Sequence, residues 1–120
     1  MATKTGQTVY AGIKRIAEAI AKAEGFGVPG AIPTIRHNPG NIRSLQAPYP
    51  IATYSSDAEG WAALYKQVGR MVAGSALYPK GWTIEQVAQR YTGEARYMDW
   101  ARNVARELGV PTTTVFSELA

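Results

Sequence analysis

The sequence predicts an α+β fold, a mainly helical domain that carries one small β-hairpin. Two observations point there. Apolar residues recur at spacings of three and four in several separate stretches, which marks amphipathic helices. After the first of them, Gly- and Pro-rich chain surrounds short strand-like runs at Asn41–Leu45 and Ile51–Tyr54. A length of 120 residues suits one domain, residues 1–120, with its own core. A hydrophobic content of 46% against 18% charged is globular rather than disordered.

The first helix is expected over about residues 8–24, with Val9, Ile13, Ile16, Ala17 and Ile20 on one face. Glu18 falls on the opposite face with Lys14, Arg15 and Lys22. Continuing the apolar steps beyond Ile20 arrives at Glu24, and Gly25 and Gly27 then stop the helix. The loop Gly25–Pro33 holds too much Gly and Pro for a helix or a central strand. Asn38-Pro39-Gly40-Asn41 is a turn signal, and Pro48 and Pro50 flank the bend of the expected hairpin.

Helices occupy the rest. Ser56-Asp57-Ala58-Glu59 has the form of a capping box, with Ser as N-cap and Glu reaching back to the cap's N–H. The helix that follows carries Trp61, Leu64, Tyr65, Val68 and Val72 on its stripe and stops at Gly74. Thr83-Ile84-Glu85-Gln86 is a second box, opening a short helix through Val87, Ala88 and Tyr91 to Gly93. A last long helix, about residues 95–108, puts Tyr97, Ala101, Val104 and Leu108 in register before Gly109 and Pro111. Thr112–Leu119 has room for one or two helical turns.

A formal charge of +4 suits an anionic partner, whether nucleic acid, a lipid surface or an acidic wall polymer. The basic residues stand singly, and in the last helix Asp99 and Glu107 interrupt Arg96, Arg102 and Arg106, so no nucleic-acid partner is expected. The absence of cysteine excludes disulfides and thiolate metal sites, and a single histidine excludes an all-His site, so no metal is expected. No stretch reaches membrane-spanning length, and Met1–Gln7 lacks the apolar core of an export signal.

Glu24 is the leading catalytic candidate. A carboxyl set against apolar surface resists ionisation, which suits a general acid. From Gly25 through Ser56 there is no other Asp or Glu, and helix-start roles account for Asp57 and Glu59. Asn41 and Arg43 follow the turn and are candidates to face a cleft there. Tyr91 and Tyr97 fall on apolar stripes, where core packing is ordinary, although their hydroxyls would also suit the rim of a binding site. Trp61 reads as core, Trp82 and Trp100 as candidates for stacking on a ligand ring, and His37 as an exposed loop residue.

Ala23-Glu24-Gly25-Phe26, then Asn38-Pro39-Gly40-Asn41-Ile42-Arg43, then a Tyr-containing helix ending Val104-Ala105-Arg106-Glu107-Leu108-Gly109-Val110, together resemble the lysozyme-like superfamily. The resemblance runs from about Ile13 to Val110 and is nearest to small phage and bacterial lytic transglycosylases and endolysins. It implies a lysozyme-like domain in which the catalytic acid, here Glu24, ends the first helix and the hairpin forms one wall of a glycan cleft. It places Tyr97 on a helix facing the acid, and Asn41, Arg43, Tyr91 and Tyr97 are the candidate substrate-binding residues. One acid without a hairpin carboxylate matches a lytic transglycosylase, in which the substrate's N-acetyl group and 6-hydroxyl complete the reaction. The implied function is cleavage of the MurNAc–GlcNAc β-1,4 bond of peptidoglycan without a cofactor, by a monomer acting on glycan strands in the cell wall or periplasm. The alternatives are a hydrolytic muramidase and a non-catalytic virion or cell-wall-binding module.

Overall fold

The computed structural model describes residues 6–44, 50–93, 95 and 97–120, with Gly6 and Gln7 described by backbone alone. Met1–Thr5, Leu45, Pro48 and Arg96, which entered the reading above, lie outside the described residues. Among the described residues five helices follow in order: α1 (Gly6–Glu24), α2 (Ile32–Ile35), α3 (Asp57–Ala73), α4 (Ile84–Thr92) and α5 (Tyr97–Leu108). A 3₁₀ turn, Phe116–Leu119, closes the chain. Helix α1 packs against α5 and α3, α4 against α5, and the 3₁₀ turn against α3. Their apolar stripes meet in one core, where Ile16, Ile20, Leu64, Val68, Ile84 and Val104 are wholly buried. Lys14, Arg15, Glu18 and Lys22 stay on the outer face of α1.

The end of α1 decides where Glu24 sits. Gly25 takes φ +87°, the left-handed conformation that a glycine adopts without a Cβ penalty. The Gly25 N–H then donates to the Lys22 carbonyl at 3.1 Å and the Phe26 N–H to that of Ala21 at 3.0 Å. This pair of bonds is the Schellman closure, and Phe26 packs its ring on the core beside it. Glu24 is therefore the last helical residue, held by backbone bonds on both sides. The same closure ends α5, from Gly109 to Arg106 and from Val110 to Ala105.

The mainly helical expectation agrees with the structure, but among the described residues no β-hairpin and no sheet are seen, so the α+β assignment is corrected to a mainly helical fold without a sheet. An isolated antiparallel bridge pairs Arg43 with Ile51, as another pairs Thr83 with Val115. Around the first the Ser44 N–H donates to the Pro50 carbonyl at 2.7 Å and the Ala52 N–H to that of Ile42 at 2.8 Å. The reciprocal bonds are missing for physical reasons. Pro50 has no N–H to return. Between Ile42 and Ala52 the amide of Asn38 is inserted: its Oδ1 accepts the Ile42 N–H at 2.9 Å and its Nδ2 donates to the Ala52 carbonyl at 2.8 Å. A side chain thus takes the place of a ladder.

Two local readings are also corrected. The Gly- and Pro-rich loop does include a helical turn, α2, because proline in the first turn gives up an N–H that has no helical partner there. At the start of α3, Ser56 caps the Glu59 N–H at 3.2 Å, but the Glu59 carboxylate bonds the N–H and hydroxyl of Ser55 rather than the N–H of Ser56. The Ser55 hydroxyl, and after it the Ser55 N–H, hold the Glu59 carboxyl below the usual range. The box at α4 is complete, with Thr83 and Gln86 each capping the other's N–H. Among the described residues no helix is long and apolar enough to cross a membrane.

Candidate active site

Glu24 opens into a cleft of about 380 Å³ with two walls of different origin. Helices supply one: Glu24 from α1, Tyr91 and Thr92 from α4, and Asp99, Trp100 and Asn103 from α5. The turn segment supplies the other, through Asn41, Arg43 and Ile51. Arg43 and Ile51 are the two residues of one isolated bridge, so that pairing shapes a cleft wall.

Trp100 is buried, and its indole Nε1–H donates to Glu24 Oε2 at 3.2 Å. Its ring lies against that of Tyr91, with centroids 5.2 Å apart and planes inclined by 32°. The Tyr91 hydroxyl donates to the carbonyl of Gly40 and so ties α4 to the turn. Burial first, and then the negative charge of Glu24, push the Tyr91 hydroxyl well above its ordinary value of 10.0, which keeps it a donor.

Glycines set the approach of the turn to the helices. A Cβ on Gly60 would lie 2.0 Å from the His37 carbonyl oxygen, and one on Gly40 would lie 2.6 Å from Leu64 Cδ1. His37 lies in the turn after α2, and its Nδ1 is 2.7 Å from Asp57 Oδ1 at the start of α3. Asn41 adopts φ +52°, a left-handed conformation that Asn tolerates better than most residues. Its Oδ1 is buried with no hydrogen-bond partner among the described residues, a costly state for an acceptor and one that a ligand N–H or O–H would relieve.

Of the residues singled out from the sequence, Glu24, Asn41, Arg43 and Tyr91 meet in this cleft, and Tyr97 does not line it. Tyr97 opens α5 and packs against the core, while Trp100, one turn further on, reaches Glu24. Trp100, in the sequence a candidate for stacking, is in the structure a hydrogen-bond partner of the acid. Asp99 is the residue the sequence reading missed most clearly. It brings a second carboxylate into the cleft, from α5 rather than from the hairpin, with Oδ1 3.7 Å from Arg102 Nη1. The available signal was spacing: Asp99 and Asn103 stand four apart beside Trp100, on one side of α5.

Comparison of the chain with protein-family profiles, with curated proteins and with solved structures finds no match.

Proposed function

We propose that this protein cleaves the MurNAc–GlcNAc β-1,4 bond of peptidoglycan as a lytic transglycosylase of the lysozyme-like superfamily, with Glu24 as the acid. The observation that carries this reading is a carboxyl fixed at a helix end, bonded by an indole N–H and facing a cleft lined by Asn, Arg and Tyr side chains. Glu24 protonates the glycosidic oxygen as the bond to C1 breaks. The resulting carboxylate then takes the proton of the muramic 6-hydroxyl as that oxygen attacks C1, which leaves a 1,6-anhydro end. The substrate's N-acetyl group stabilises the developing positive charge. Asn41 and Arg43 hydrogen-bond the glycan, and the orphaned Oδ1 of Asn41 suits a sugar N–H or O–H. The positive charge of the chain favours the anionic polymers of the wall, where the enzyme acts.

Asp99 favours a second reading. A carboxylate in the same cleft as the acid can activate water, as in inverting glycosidases, and the product would then be a reducing sugar. Digestion of purified sacculi followed by product masses decides between them, since anhydro products are lighter by one water. Glu24→Gln is expected to keep its fold and lose about 10²- to 10⁴-fold in rate. Asp99→Asn is expected to retain anhydro products; its inactivity would establish the hydrolytic reading. Undiminished digestion by folded Glu24→Gln would refute both, and no products from the wild type would leave a binding module.

A further inference from the structure

Helix α4 carries a second pocket, of about 450 Å³, that shares no lining residue with the cleft. Trp82, Gln86, Gln89, Arg90 and Gly93 line it. Gln86, Gln89, Arg90 and the C-cap Gly93 recur at steps of three and four, so they share one face. Tyr91 and the buried Val87 and Ala88 occupy the other faces, towards the cleft and the core.

Trp82 is fixed before any ligand arrives. Its N–H donates to the Pro79 carbonyl at 3.1 Å, and its own carbonyl accepts the Phe116 N–H at 2.8 Å. Its ring meets that of the buried Tyr78, with centroids 6.5 Å apart and planes at 83°. Gln86 is fixed too, because its Oε1 accepts the Thr83 N–H at 2.9 Å in the capping box. That bond uses the acceptor of the amide and leaves the two N–H donors of Nε2. Gln89 adds a second, exposed amide, and the Arg90 guanidinium stands 5.8 Å from the centroid of the indole.

Each feature has an ordinary use by itself. An arginine in a last turn complements the helix dipole, a guanidinium near Trp gains a cation–π contact, and Gln86 caps a helix. Together they make a concave site that joins a flat apolar ring to two neutral amides and one cation. No Asp or Glu is among the described residues that line it. A pyranose ring matches that combination. Its C–H face covers an indole, and its hydroxyl and acetamide groups pair with amide and guanidinium groups. The contact of Arg90 with Trp82 lies near the outer limit for a cation–π pair, so a sugar displaces it at small cost and keeps it as a donor.

We propose that this pocket is a second carbohydrate site, where Trp82, Gln86, Gln89 and Arg90 hold one glycan strand while the cleft takes another. The choice of an N-acetylhexosamine strand rests on the glycan-cleaving reading above, but binding here needs no chemistry from Glu24. A second attachment to a polymeric wall raises retention without any change in the cleft.

The test is an NMR titration of the full, nitrogen-labelled chain with chitotetraose. The Trp82 indole signal and the side-chain amide signals of Gln86 and Gln89 are expected to shift together, with one Kd, and equally in Glu24→Gln. Gln89→Ala should weaken that Kd about fivefold, the scale of one neutral hydrogen bond. Because Gln89 is exposed, this variant should melt with the wild type. No shift at Trp82, or a Trp82 shift whose Kd Gln89→Ala leaves unchanged, would overturn the second site and leave the glycosidase reading intact. Trp82 shifts that follow this pattern, in a protein that releases no products from sacculi, would uphold the site and overturn the glycosidase reading instead.

Discussion

The two walls of the cleft are held by different forces. The helical wall stands on a core in which Ile16, Ile20, Val87 and Val104 are almost entirely buried, so each cleft residue rests on many small apolar contacts. The turn wall has little apolar core of its own. Its fixed points are the buried Asn38, Pro39 and Gly40, and the amide of Asn38 alone bonds the Ile42 N–H and the carbonyls of Ile42 and Ala52. Packing spread over many atoms weakens by degrees when one side chain is trimmed. A buried amide concentrates the same task in one group, whose loss strands several backbone partners at once. The position of Asn41 and Arg43 thus depends on a residue outside the cleft lining.

The strongest challenge to this contrast is Asn38→Ala. Three hydrogen bonds disappear in a buried setting, and a loss of about 2–4 kcal/mol is expected in chemical denaturation. Sacculus digestion should collapse while helical circular dichroism persists, because the helices do not depend on the turn. A loss below about 1 kcal/mol would mean that packing holds both walls alike.

Tyr91→Phe probes the one described side-chain bond that joins α4 to the turn, and should cost about 1–2 kcal/mol. It should also change the response to alkali. In the unfolded chain this hydroxyl titrates near 10.0, whereas in the fold it holds its proton well beyond that. Stability from this group is complete below the unfolded value and declines as pH rises above it. The Phe variant should therefore lose less stability than the wild type above about pH 10, with the part due to Tyr54 and Tyr78 remaining, since burial raises those hydroxyls too.

The smallest effect belongs to Ser56→Ala, which leaves both walls in place and removes only the N-cap of α3. A loss of about 1 kcal/mol should register in a thermal melt, with digestion at the wild-type rate. A larger loss of activity than of stability would tie the start of α3 to the turn wall through the neighbouring pair His37 and Asp57.

The sequence by itself determined the helix ends, and with them the position of Glu24. Gly25 and Phe26 encode a closure that involves only the preceding turn, and Thr83 with Gln86 encodes a cap three residues long. Such signals are legible because every partner lies within a few residues. The hairpin expectation fails because Asn38 reads in the sequence only as a turn residue, whereas its amide reaches Ala52, 14 positions away, and takes bonds that a ladder would use. Trp100 meets Glu24 across 76 positions, and Tyr91 meets Gly40 across 51. Asp99 joins the cleft through the same packing of α5 on α1. Those meetings belong to the tertiary structure alone: helical periodicity states which face of a helix is apolar, but only the packing of one helix on another selects which polar residues at its edge converge.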